Sequence, residues 1–242
     1  MAIRNWQEEL TQRVAFIKRT VQAAGASGIV YGNSGGKDSA LVGILCKKAV
    51  PDTVGIIMPI STRNFSMDKA DGTAVAEKFG IAVREISLAG VKDKFLADAA
   101  AVTTVSPMAS ANTSARLRMI TLYAVAASEN RLVAGTGNRS EAYMGYFTKW
   151  GDGAHDFNPI ADLTVTEIYE FLRYLEAPAC VIEKAPSAAL FDGQTDESEM
   201  GITYAELDEY LLHGNATPEN KALIEKFHTD SEHKRNLPIA FG

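Results

Sequence analysis

The sequence predicts an α/β fold, a parallel five-stranded sheet with helices on both faces. Three observations lead there. Short β-branched runs alternate with segments of helical spacing, which is the pattern of a parallel sheet joined by crossover helices. Two of those runs end in Gly-rich turns, and the length of 242 residues suits one domain, residues 1–242, around a single core.

Residues 5–23 place Trp6, Leu10, Val14, Ile17 and Val21 three and four apart, which predicts a helix with one apolar stripe. "GIVY" (28–31) is a strand running into the first Gly turn, and "SALVGILCKKAV" (39–50) is a helix that stops at Pro51. "TVGIIMP" (53–59) predicts a second strand, 67–80 a helix ended by Gly80, and "IAVREI" (81–86) a third strand. Residues 108–129 predict a long helix, and "RLVAGTG" (131–137) a strand ending in the second Gly turn. Thr164 and Glu167 form a capping box that opens a helix over 164–175, and the fifth strand is expected around "ACVIE" (179–183). Residues 186–201 are polar, acidic and aperiodic, which predicts a mobile loop. Two short helices follow, one from Thr203 with Glu206 as box partner and one from Thr217 with Pro218 at its first position.

Composition narrows the function classes. Apolar residues make up 46% and charged residues 22%, as in an average soluble protein, and no run approaches the length of a membrane span. A cytoplasmic location is expected, with no membrane partner. The net charge of −6 argues against a nucleic-acid partner, since phosphate contacts need a basic face. Cys46 and Cys180 lie among apolar neighbours and are expected to be buried, reduced thiols.

In an open parallel sheet, ligands bind beyond the carboxyl ends of the strands, where both Gly turns lie. The first, "GNSGGKDS" (32–39), falls short of a Walker loop at two places: Tyr31 stands where the first Gly belongs, and Asp38 follows Lys37 where a hydroxyl should hold magnesium. Gly32, Ser34, Gly35, Gly36, Lys37, Asp38 and Ser39 are left packed between a strand and a helix N-terminus. Glycines let backbone amides close on an anion, hydroxyls add donors, and the helix dipole favours negative charge, so the loop is expected to bind phosphate. A plain capped turn would need fewer of these features.

"SGGKDS" resembles the pyrophosphate-binding loop of the N-type ATP pyrophosphatases. Four further segments, "NTSARLRMITLYAVA" (112–126), "GTGNRSEAYMGYFTKWGDGAHDFNPIADLT" (135–164), "EKAPSAALFDGQTDESEMGITYAELDEYL" (183–211) and "HKRNLP" (233–238), are similar in consecutive order to the ammonia-dependent NAD synthetase family. That resemblance implies a Rossmann-like (adenine nucleotide alpha hydrolase-like) sheet and amidation of deamido-NAD with ammonia. ATP adenylates the carboxylate, pyrophosphate leaves, and ammonia displaces AMP. It further implies Mg2+ as the cofactor, with Asp38 and Glu141 as its ligands, and Thr136 and Ser187 joining the loop in binding ATP. Asn112, Arg116, Lys149, Asp156, His233 and Lys234 match the deamido-NAD site. Asp152 matches the residue that takes the proton from ammonium, with Asp156 as a second candidate and His155 as a bystander. The acidic stretch 190–200 corresponds to a lid, and Arg63 and Phe65 are candidates to contact adenine.

The chain departs from the family at a few positions. Relatives often carry a lysine near the position of Val165 and an apolar residue at that of Lys37, so Lys37 is expected to restore positive charge near pyrophosphate and to act in catalysis. Trp150 replaces a usual tyrosine and Asn33 a usual aliphatic residue, which leaves open another acyl acceptor. The family forms homodimers with the dinucleotide site at the interface, here expected to use the 108–129 helix. With only 27 residues ahead of the first strand, a glutaminase domain is not expected, and ammonia would come free or from a separate protein. Two other readings stand beside this one: another member of the superfamily, acting on a different acceptor, or a nucleotide-binding sensor without catalysis.

Overall fold

A computed structural model of the chain describes residues 4–60, 65–183 and 196–241. Its elements run α1 (Trp6–Ala23), β1 (Gly28–Gly32), α2 (Lys37–Ala49), β2 (Thr53–Ile57), α3 (Phe65–Phe79), β3 (Ala82–Glu85), α4 (Ala89–Ala100), α5 (Pro107–Glu129) and β4 (Arg131–Ala134). They continue with α6 (Arg139–Met144), α7 (Val165–Tyr174), α8 (Ala179–Ile182), α9 (Asp196–Met200), α10 (Tyr204–His213), α11 (Pro218–Asp230) and α12 (Glu232–Arg235).

Among the described residues the sheet has four strands, in the order β3-β2-β1-β4, all parallel. The fifth strand expected at 179–183 is a turn of helix, α8, that begins after Pro178. A four-residue apolar run carries no usable period, and the proline before it starts a helix as readily as it borders a strand. Beyond β4 the sheet edge is met by a single parallel bridge, Ala134 to Phe157, with Gly135 N–H donating to the Phe157 carbonyl at 2.8 Å. Helix α4 had no counterpart in the sequence reading, because Ala-rich 89–100 buries none of its side chains and shows no apolar stripe.

Strand side chains alternate between faces, and the cores follow that period. Ile29 and Tyr31 of β1 enter a cluster with Ile17 of α1, Leu41 and Leu45 of α2 and Phe171 of α7. Val30 points the other way, to Val54, Ile56, Val133 and Ala126 of α5. Part of α5 is therefore core, while its Ile120 is 57% exposed. A third cluster joins Met144, Val165, Met200, Tyr204, Leu207 and Ile224, fastening α6, α10 and α11 beside the carboxyl ends of the strands. Cys46 is buried as expected; Cys180, on the short helix α8, is exposed. No helix among the described residues is long and apolar enough to cross a membrane.

An ion network ties α1 to the segment before α7. Arg13 grips Asp162 with two bonds of 2.6 and 2.8 Å, and Arg4 donates to Glu167 at 2.6 Å. Burial alone would raise the Asp162 carboxyl, but bonding and charge from Arg13, then charge from Arg4, outweigh it and hold it below the usual carboxylate range. Stability from this pair is present above the ordinary aspartate range and is lost as pH falls through the lowered folded value. Asp162→Asn therefore lowers the melting temperature near neutrality, and the gap to the parent closes in acid. A thermal melt series from neutral pH downward checks this; a constant gap would mean the carboxylate charge contributes nothing.

Candidate active site

The chain order 3-2-1-4 reverses direction between β1 and β4, so the turns that follow these two strands open side by side. After β1 the chain makes a tight turn with Gly35 at φ +74°, a left-handed conformation that glycine adopts without strain. Local bonds hold the turn. Asn33, buried, donates from Nδ2 to the Gly72 carbonyl at 3.1 Å and accepts from Gly35 N–H at 3.3 Å. Ser34 Oγ accepts from Gly36 N–H at 3.3 Å and donates to Ser39 Oγ at 3.1 Å. Unlike α1, α5, α6, α7, α10 and α11, each capped by an Asn, Ser or Thr side chain, α2 begins at Gly36 with no side-chain cap. Its first amides stay available to an anion, where the helix dipole favours one.

The second turn supplies Asn138, which sequence reasoning passed over although Asn-Arg-Ser-Glu is a capping-box pattern. Asn138 is fully buried and caps α6: its Oδ1 accepts from Glu141 N–H at 2.9 Å, and its own N–H donates to Glu141 Oε2 at 3.1 Å. The same side chain donates from Nδ2 to Asp38 Oδ1 at 3.1 Å. One residue thus fixes carboxylates from both turns. On the other oxygen of Asp38 sits Lys37 Nζ, at 2.8 Å, with the lysine only 7% exposed and 5.6 Å from the centre of the Tyr204 ring. Glu141 keeps some contact with the surface, yet dense protein around it and then the charge of Asp38 raise its carboxyl, against Lys37 and the Asn138 amide, which lower it. Two carboxylates facing one ammonium leave excess negative charge, and hard oxygen donors of this kind suit magnesium, which binds through one or two carboxylates plus phosphate and water. Among the described residues no cluster of three or more His, Cys, Asp or Glu forms a larger metal cage.

Across the mouth, α5 faces the Gly-rich segment 148–153. Thr148 Oγ1 donates to Asn112 Oδ1 at 2.7 Å, and Arg116 Nη2 donates to the Lys149 carbonyl at 3.3 Å. Asp152 closes this loop on itself by accepting from Thr148 N–H at 2.9 Å. Burial pushes the Asp152 carboxyl up and the Thr148 N–H pulls it down, for a net rise, although the residue keeps solvent access. Trp150 sits beside it at φ +60°, 52% exposed, with Lys149 Nζ 5.4 Å from the ring centre.

Several candidates have structural tasks in this state. Asp156 accepts from Val133 N–H at 2.7 Å and from Tyr123 Oη–H at 3.2 Å, so both its oxygens hold the sheet edge. Lys234 donates to the carbonyls of Gly145 and Phe147 at 2.8 and 3.0 Å, and Lys149 to those of His233 and Asn236. The His233 side chain is exposed. Arg235, which sequence reasoning missed, donates to Ala142 O at 3.1 Å and to Ser231 Oγ at 2.8 Å. Residues 231–236 thus clamp the segment that leads to Asp152. Thr136 is half-buried beside Asn138. His155 packs over Gly135, and its buried Nδ1 has no partner among the described residues. Ser187, Arg63 and the side chain of Phe65 lie outside the described residues, as do residues 186–195 of the expected loop. Its last residues are not the loop expected. Residues 196–200 are helix α9, because acidic side chains suit a helix N-terminus and Met200 is buried in the third core. Asp196 accepts from the buried Tyr204 Oη–H at 3.0 Å, which ties α9 to α10, whose Tyr204 ring faces Lys37.

Asp208 supports this corner from behind. It is buried, accepts from Ser140 Oγ at 2.5 Å and from Thr166 N–H at 2.7 Å, and so joins α10 to the starts of α6 and α7. Asp208→Asn turns one acceptor into a donor facing a donor, at an expected cost of about 1–3 kcal/mol. Urea unfolding measures this, and a loss well below that range would mean that water replaces the bond.

Fold and site define a nucleotide-binding α/β protein whose two strand-end turns present an open helix N-terminus and a pair of carboxylates. The sequence model of NAD synthase matches residues 9–238, and the chain belongs to that family. An NH(3)-dependent NAD(+) synthetase from Carboxydothermus hydrogenoformans is 44% identical over 237 residues, 97% of each chain. Among solved structures, an NMN synthetase from Francisella tularensis superposes with a TM-score of 0.93 at 38% identity, over 98% of this chain and 99% of that one. The NH3-dependent NAD synthetase from Campylobacter jejuni gives 0.82 at 29% identity, over 99% and 100%.

Proposed function

We propose that this chain catalyses the ATP-dependent amidation of deamido-NAD with ammonia, giving NAD, AMP and pyrophosphate through an adenylated carboxylate. Beyond family membership, the observation that carries the reading is Asn138, which holds Asp38 and Glu141 together beside the uncapped start of α2. Phosphates leaving as pyrophosphate build up charge. The first amides of α2, at 37–39, and the Ser34 and Ser39 hydroxyls would meet that charge, with Thr136 on the neighbouring turn. Asp38 and Glu141 would hold Mg2+, which supplies charge neutralisation to the triphosphate. Asn112, Arg116 and the 148–153 loop form the acceptor side, and Asp152 takes the proton that ammonium must lose before attack. Lys149 and Lys234, now bound to carbonyls, keep the Asp152 loop in register. Segment 190–200 would exclude water from the acyl-adenylate. The exposed Ile120 of α5 fits a homodimer that completes the acceptor site, and the soluble composition fits the cytoplasm.

Purified protein with ATP, magnesium, ammonium chloride and deamido-NAD is expected to form NAD and AMP in equal amounts, with no ADP. Neither NAD nor AMP forming with deamido-NAD present would overturn the acceptor, whereas AMP without NAD would mean an adenylate lost to water. A second reading changes only that acceptor. The fit to the Francisella NMN synthetase, together with Trp150 on the loop facing Arg116, favours nicotinic acid mononucleotide as an alternative carboxylate. Running both acids side by side and comparing kcat/KM decides between them.

A further inference from the structure

We infer that Lys37 is a resident cation of the metal site, which a divalent cation must displace from Asp38 before it can bind. This rests on the reading of Asp38 and Glu141 as metal ligands. Lys37 occupies the first position of α2, where the helix dipole disfavours a cation, and it is almost wholly buried, which disfavours any charge. Nothing in the helix itself accounts for a lysine at this point. What compensates is the pair of carboxylates: Nζ lies 2.8 Å from Asp38 Oδ2, and its charge also acts on Glu141. Asn138 already occupies the other oxygen of Asp38. Among the described residues no other cation bonds to either carboxylate.

The charge count sets the order of events. With both carboxylates ionised, as a metal requires, they and one ammonium leave one negative charge, and a bare divalent ion added to them would leave a net positive charge in a buried place. Phosphates reverse that balance. With a triphosphate present, the ammonium can leave Asp38 for the anion, and the carboxylates are freed for the metal. The metal therefore enters with the nucleotide, and the free protein binds it poorly. Tyr204 and α10, which wall the ammonium in, keep the exchange local.

Manganese titration followed by electron paramagnetic resonance, on the full chain without nucleotide, tests this. Lys37→Met, which keeps the stem and removes the charge, is expected to bind Mn2+ at least tenfold more tightly than the parent, and Lys37→Gln to do the same if Met perturbs folding. With a non-hydrolysable ATP analogue present, the advantage should vanish or reverse. Equal or weaker Mn2+ binding in both folded variants without nucleotide would overturn the inference. Glu141→Gln separates this from the underlying reading: if Mn2+ binding in the Lys37→Met background ignores that change, the metal site itself is misplaced. Tighter Mn2+ binding in a protein that makes no NAD would leave the role of Lys37 standing and remove only the acceptor.

Discussion

Asp38→Asn should lower the rate of AMP and pyrophosphate formation by about two to three orders of magnitude while leaving the protein folded. The substitution keeps the size of the side chain and the oxygen that accepts from Asn138 Nδ2 at 3.1 Å. It removes the charge that pairs with Lys37 and that would hold the metal against the triphosphate. Some stability should be lost, because the buried ammonium of Lys37 loses its bonded partner, and relief of the repulsion on Glu141 offsets only part of that, so exchange is read well below the variant's melting temperature. The check is exchange of labelled pyrophosphate into ATP, which reports adenylation without needing ammonia. A variant that exchanges at the parental rate would place the metal elsewhere and reduce Asp38 to a helix-start charge.

Glu141→Gln tests the same pair from the other side, but it also alters a capping box that accepts from Asn138 N–H at 3.1 Å. Its activity loss therefore mixes chemistry with a helix cap, worth about 1 kcal/mol. Asp38 is the cleaner experiment.

Much of the fold was legible because periodicity speaks most clearly where one face is buried. The strands at 28–32, 53–57 and 131–134 and the capped starts of α7, α10 and α11 all carry such signals. The fifth strand failed for the same physical reason: "ACVI" is too short to show a period, and Pro178 made it a helical turn. Helix α4 was invisible because none of its side chains is buried. At the site, the sequence placed the glycines and hydroxyls of 32–39 between a strand and a helix start, which is where the turn lies. What the sequence hid were the contacts between segments far apart in the chain. Asn138 reaches Asp38 across 100 residues, Asp208 reaches Ser140 across 68, and Arg235 reaches Ala142 across 93. Lys37 was read as a phosphate ligand; its present partner, Asp38, is its neighbour in sequence, but the Tyr204 wall that fixes it there comes from α10.

Asp152→Asn should lower NAD formation by about two to four orders of magnitude while leaving pyrophosphate exchange close to the parent. On the proposed reading the two readouts separate, because Asp152 lies on the loop that Asn112 and Arg116 hold, whereas adenylation is assigned to the starts of α2 and α6. Asparagine can still accept from Thr148 N–H through Oδ1, so the loop should keep its shape. What is lost is a carboxylate whose proton affinity the protein packed around it raises, which suits it to take the proton of ammonium. The sign with pH follows. As pH rises, a larger share of the nucleophile arrives already as free ammonia, and the variant should recover relative to the parent. A rate gap that stays constant from neutral to alkaline pH would mean Asp152 positions the acceptor instead of taking a proton, and equal losses in exchange and amidation would move it to the adenylation step.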